Sequence, residues 1–253
     1  MGKPAIKGMA RDSINSVLAL AGLQLIRKGR AHEDFLPLQV TLRDAERSGL
    51  ALGDYIDATY NVPGATQETI GRMVELGVFD NHPRRICEIG PGSGRYLAKV
   101  KELTNPQLYE IYETAADWRK YLVKTYGVVA RRTDGKTLAE TPSRSIDLLH
   151  SHKVFVGLPI FTTLRYLGEI ARVVAVGGKV AFDIASESCL DDAMMERWLQ
   201  AWDPYTKSVV PRQWAIEYFA RRGFQLDGTF KITMMPGITE YLVFTRAEDR
   251  QSL

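Results

Sequence analysis

The chain has 253 residues, of which 45% are hydrophobic and 25% charged. These proportions exclude a disordered chain or a disulfide mini-scaffold and fit one large domain, or one domain with an appendage, at roughly 100–200 residues each. With 33 basic against 30 acidic residues the net charge is +3, and no basic block appears, so nucleic acid is not an expected partner.

Near the start, Ser13 to Ile26 is uncharged, but it is shorter than the ~20 residues a membrane helix needs. Ile14, Val17, Leu18, Ala21 and Leu25 recur at helical spacing, which predicts an amphipathic packing helix near 10–28. No cleavage site separates it from Arg27-Lys28-Gly29-Arg30, so no leader and no membrane insertion are expected. Cys87 and Cys189 show no Cys-x-x-Cys pattern and read as reduced, buried thiols of a cytoplasmic protein. Residues 1–83 show no strand pattern. They predict helices at 10–28, 38–48 and 66–77, with Asp57 to Thr66 as a loop and Thr66 as an N-cap.

From Pro83 the pattern changes. Strands are predicted at 85–89, 107–112, 128–131, 146–149, 179–184, 224–231 and 239–245. Helices are predicted at 95–103, 115–126, 162–174 (stopped by Gly177-Gly178) and 211–222. Alternating strands and helices give a parallel sheet covered on both faces. The last two strands are too closely connected for a crossover and should pair antiparallel. The division is therefore a helical extension, 1–83, and an α/β domain, 84–253.

Between the first strand and its helix lies Cys87-Glu88-Ile89-Gly90-Pro91-Gly92-Ser93-Gly94-Arg95-Tyr96. Ligands of parallel sheets bind at the carboxyl ends of strands, and glycines there let a ligand approach the backbone. A dinucleotide fingerprint needs a third glycine where Arg95 stands. The run Glu88-x-Gly90-x-Gly92-x-Gly94 resembles the first motif of class I S-adenosylmethionine (SAM) methyltransferases, and the resemblance covers residues 84–246. It implies a Rossmann-like sheet, mostly parallel with an antiparallel last strand and helices on both faces. It also implies SAM binding by Glu88, Gly90, Gly92, Ser93, Gly94, Tyr96 and His150. Glu113, with Glu110 as competitor, would hold the ribose, and Asp134 would reach the adenine.

Three longer segments, Glu110 to Trp118, His150 to Val154 and Val62 to Ile70, resemble bacterial sugar O-methyltransferases, including those of methylmannose-polysaccharide synthesis. That implies a sugar or oligosaccharide acceptor, and it leaves room for a divalent metal such as Mg2+ and for a homodimer. Other small acceptors (a phenol, amine or lipid) and a non-catalytic SAM-binding protein stay open. A sugar hydroxyl needs help to lose its proton. His152 is the expected base with His150 supporting, both on one side if the fourth strand continues that far. The acids Asp183, Glu187, Asp191 and Asp192 are the metal candidates. Tyr60, Asn61, Trp202 and Tyr205 are candidate acceptor contacts, and Trp118 a flank for the adenine.

Overall fold

A computed structural model describes residues 36–200, 208–234 and 237–248. The helix expected near 10–28, together with Trp202 and Tyr205, lies outside them. The described chain opens with three helices: α1 (Leu38–Ser48), α2 (Leu52–Tyr60) and α3 (Ala65–Glu75). The first ends on Gly49 in the left-handed region, where glycine carries no Cβ penalty.

The expected loop from Asp57 to Thr66 is half helix. Leu52, Tyr55 and Ile56 fall at helical spacing, and Ile56 and Asp57 turn inward. Pro63-Gly64 confines the irregular part to four residues. Thr66 is not the cap of α3. Gly64 stands at the N-cap, and the Asp57 carboxylate reaches across to accept the Thr66 amide at 2.8 Å. The side chain that serves this helix end thus comes from the preceding helix.

The sheet contains β1 (Arg85–Ile89), β2 (Leu108–Tyr112), β3 (Val129–Ala130), β4 (Ile146–Ser151), β5 (Val174–Ile184), β6 (Phe224–Met234) and β7 (Gly237–Arg246). Their order is β3-β2-β1-β4-β5-β7-β6. The first five are parallel, and β7 runs antiparallel between β5 and β6. The remaining helices are α4 (Arg95–Leu103), α5 (Ala116–Tyr126), α6 (Ile160–Val173), α7 (Asp192–Gln200) and α8 (Arg212–Ala220). No helix joins β3 to β4 or β6 to β7, so the alternation is broken twice.

Pleating sends neighbouring residues to opposite faces. Ile89, Leu149, Phe182 and Phe244 pack with Leu167, Ile170 and Phe219 of α6 and α8. Ile86, Leu148, Ala181 and Val243 pack on the other face with Met73, Leu97 and Leu122 of α3, α4 and α5. Trp118 is buried with Leu38 and Ala115, and its indole donates to the Leu36 carbonyl, so it pins the start of α1 to α5. Gly177-Gly178 does not stop α6. The helix passes directly into β5, and the glycines lie in the register shift between Ile146↔Val174 and Leu148↔Lys179. Such an inserted bulge bends a strand and accommodates glycine readily.

Candidate functional site

The carboxyl ends of β1, β2 and β4 meet beside the glycine loop. Gly90, Gly92 and Gly94 have φ of 64°, 53° and 79°, a region costly for residues with a Cβ. Gly90 also has no room: a Cβ there would stand 2.5 Å from a Val154 methyl. Gly90→Ala is expected to cost about 2–4 kcal/mol, combining strain and overpacking. Urea unfolding measures this, and a loss below 1 kcal/mol would show that Val154 gives way freely.

Glu113 stands just past β2 and is buried. Its Oε2 accepts the Gly92 amide at 2.8 Å and its Oε1 the Ala115 amide at 2.7 Å. Burial raises its pKa, and those amides and Arg119 oppose the rise. The Thr114 amide also bears on it, and since a carboxylate has about four acceptor positions, capacity remains for a ligand's hydroxyl. Glu110, the competitor, is spent inside the sheet on Arg131 and on the Thr141 hydroxyl. Asp134 is turned back on its own turn, accepting the Lys136 and Thr137 amides at 2.8 Å each. Ser93 is buried within the loop.

Beneath the loop lies a buried polar chain. Tyr109 donates to Glu88 Oε2 at 2.7 Å and meets His150 Nε2 at 2.8 Å. His150 Nδ1 and His152 Nε2 are 2.9 Å apart, and His152 Nδ1 lies 3.1 Å from the Tyr241 hydroxyl. The His152 ring stacks on Tyr96 at 3.8 Å between centroids. Burial holds both imidazoles neutral, with His150 down at about 3. β4 runs on to Ser151 with His152 the residue after it, so the two histidines lie side by side, but His152 is enclosed, with both nitrogens engaged. Glu88, His150 and His152 each offer a ligand atom, all within 4.8 Å of one another.

The four acids expected to hold a metal are not brought together. Asp183 is buried and accepts the Lys153 amide and the Thr239 hydroxyl. Glu187 accepts the Arg212 amide, and Asp191 caps α7 through the Met194 amide. Asp192 is exposed on the first turn of α7.

The helical extension closes against this end of the sheet. Asp57 accepts Arg95 Nη1 at 2.8 Å, besides Asn61 and Thr66. Asn61 accepts the Lys153 ammonium at 2.6 Å. Burial and the nearby Arg95 bring Lys153 down to about 8. Tyr60 is exposed and meets Tyr55 edge-on. Trp118 lies against the extension rather than beside the loop. Tyr109, Tyr241, Asp57 and Lys153 were missed from sequence. Asp57 and Lys153 carry charges three or fewer residues from singled-out positions, a usable signal, whereas an aromatic inside a strand carries none.

No family model and no curated protein matches the chain. Solved structures do. An O-methyltransferase family protein from Burkholderia thailandensis is 15% identical at a TM-score of 0.59 over 84% of this chain and 61% of that one. The chain thus spans less than two thirds of that protein's length. The N-methyltransferase NodS from Bradyrhizobium japonicum, in complex with S-adenosyl-L-homocysteine, is 13% identical at 0.58 over 82% and 99%. Magnesium protoporphyrin IX methyltransferase from Synechocystis, with the same compound bound, is 13% identical at 0.55 over 95% and 99%. The fold is therefore the Rossmann-like methyltransferase fold. Likeness at such identity concerns architecture, and function has to be argued from the site.

Proposed function

We propose that the chain is a SAM-dependent methyltransferase that transfers a methyl group to a hydroxyl of a small acceptor, a sugar or glycoside. The observation that carries the reading is the clasp between Glu113 and the Gly92 amide. It holds a glycine-rich loop and a buried carboxylate together at the point where β1 and β2 end. In this reading Gly90, Gly92 and Gly94 leave the space for the methionine part, and Glu113 holds the ribose hydroxyls. The bound cofactor supplies a methyl on a sulfonium, and in-line transfer is mainly a positioning task.

The hydroxyl acceptor is supported by the residues at the end of β4. His150-Ser-His-Lys153 stands there, not the Asn-Pro-Pro-aromatic run suited to amino groups. The acceptor pocket is assigned to the residues around Tyr60 and Asn61, because Asn61 is tied to the end of β4 through Lys153. Residues 1–83 are then part of the enzyme's site and not an independent domain.

Two measurements test this. Calorimetry with S-adenosylhomocysteine and with a nicotinamide dinucleotide should show saturable binding of the first alone, and Gly92→Leu should abolish it. Incubation with labelled SAM and a panel of mannosides, glucosides and phenols should give glycosides heavier by one methyl group. Methylated phenols without methylated glycosides would overturn the acceptor class. Binding without any turnover would favour a non-catalytic SAM-binding protein.

A further inference from the structure

The face of the sheet beneath α4 buries more chemistry than a nucleotide loop uses. Glu88, Tyr109, His150, His152 and Tyr241 come from β1, β2, the end of β4 and β7, and all five are buried. We propose that Glu88, His150 and His152 bind one divalent first-row transition ion of the zinc class. The inference goes beyond methyl transfer and does not rest on it.

Geometry gives the first argument. Tyr109 donates to Glu88 Oε2 and meets His150 Nε2, and Tyr241 meets His152 Nδ1, so His150 Nδ1 and His152 Nε2 are the ring nitrogens left facing each other. They stand 2.9 Å apart, and nitrogens about 2.0–2.1 Å from one zinc lie about 2.9–3.4 Å apart.

The second argument is Glu88. Its Oε1 has no hydrogen-bond donor among the described residues, and His150 Nδ1 lies 3.9 Å from it. No Lys or Arg among them makes an ion pair with it. Arg95 is committed to Asp57, and the Lys153 ammonium bonds Asn61. A buried carboxylate lacking a counter-charge is costly. A shift of about half an ångström would bring Oε1 to a tetrahedral separation from Nδ1. An ion there supplies the missing positive charge.

Third, the far atom of every ligand is already held. Tyr109 fixes both Glu88 Oε2 and His150 Nε2, and Tyr241 fixes His152 Nδ1. Outer partners of this kind set ring orientation and tautomer in metal sites. Two imidazoles with one carboxylate select zinc, cobalt or iron over magnesium.

The test uses the full chain, stripped with a chelator and dialysed. It is titrated with Co2+, followed by visible absorption, and with Zn2+, followed by calorimetry. One equivalent per chain is expected. Glu88→Gln is isosteric and still accepts from Tyr109, while Tyr109→Phe removes the shared hydroxyl; each should weaken binding about 10–100-fold. His150→Ala should abolish the coloured complex, and His82→Ala, at an exposed position, should leave it intact. The proposal is overturned if folded wild-type protein shows no saturable binding, or if binding survives His150→Ala. Should that variant not fold, unchanged affinity in both Glu88→Gln and Tyr109→Phe overturns it instead. Adenosylhomocysteine affinity, measured on the same samples, reports the methyltransferase reading separately.

Discussion

Asp57→Ala should lower the stability of the chain by about 3–5 kcal/mol, the range for breaking one partner out of a buried ion pair. The carboxylate accepts from the Thr66 amide and hydroxyl, from Asn61 and from Arg95. Its side chain is 3% exposed and that of Arg95 is 11%. The truncation therefore strands a buried guanidinium and an amide at the first turn of α3 in one step. For a chain of this size the melting temperature should fall by roughly 10 °C. Asp57→Asn keeps the shape and one acceptor oxygen but drops the charge, so it should lie between Ala and wild type. Urea unfolding of both variants decides. A loss below 1 kcal/mol for Asp57→Ala would mean that solvent replaces the carboxylate, and that the helical extension is held by its apolar contacts alone.

Glu113→Ala should strike both fold and ligand. The Gly92 and Ala115 amides lose their acceptor in a buried setting, at about 1–3 kcal/mol for each group left unsatisfied. The proposed ribose contact adds a loss of at least about 1.5 kcal/mol in adenosylhomocysteine affinity, more than tenfold. Glu113→Gln separates the two. It can still accept from one amide, so it should recover part of the stability, whereas affinity should stay low because the charge has gone. Wild-type affinity in Glu113→Ala would remove this residue from the cofactor site and with it the observation on which the proposed function rests.

Much of the domain was legible because its signals are local. The apolar runs of β1 and β2, the glycines after β1 and the short link between β6 and β7 each declare themselves within a few residues. The extension was less legible. Leu52, Tyr55 and Ile56 form a short helical stripe that the Pro63-Gly64 turn overshadowed, so α2 went unseen. The cap of α3 was misplaced because the capping oxygen belongs to Asp57, nine residues before Thr66. At the site, the i, i+2 spacing put His150 and His152 side by side at the end of β4. That their nitrogens would face each other, fixed by Tyr109 and Tyr241, depends on the lateral order β2-β1-β4-β5-β7. No window of sequence contains that order. Where the acids of and after β5 would point was illegible for the same reason: Asp183, Glu187 and Asp191 each accept a main-chain amide, from Lys153, Arg212 and Met194, and periodicity says nothing about which amide is in reach.

The position of β7 bears on how the protein is made. Tyr241 meets His152 across 89 residues of chain, and Thr239 meets Asp183 across 56. A ribosome that has already released β1, β2, β4 and β5 still presents an open flank, with His152 Nδ1 and the Asp183 carboxylate lacking their β7 partners. The polar interior can therefore close only after the final hairpin emerges, a late and non-local step of the kind that slows folding and exposes intermediates. Nascent chains stalled before Thr239 should be markedly more protease-sensitive than chains stalled once β7 has cleared the tunnel.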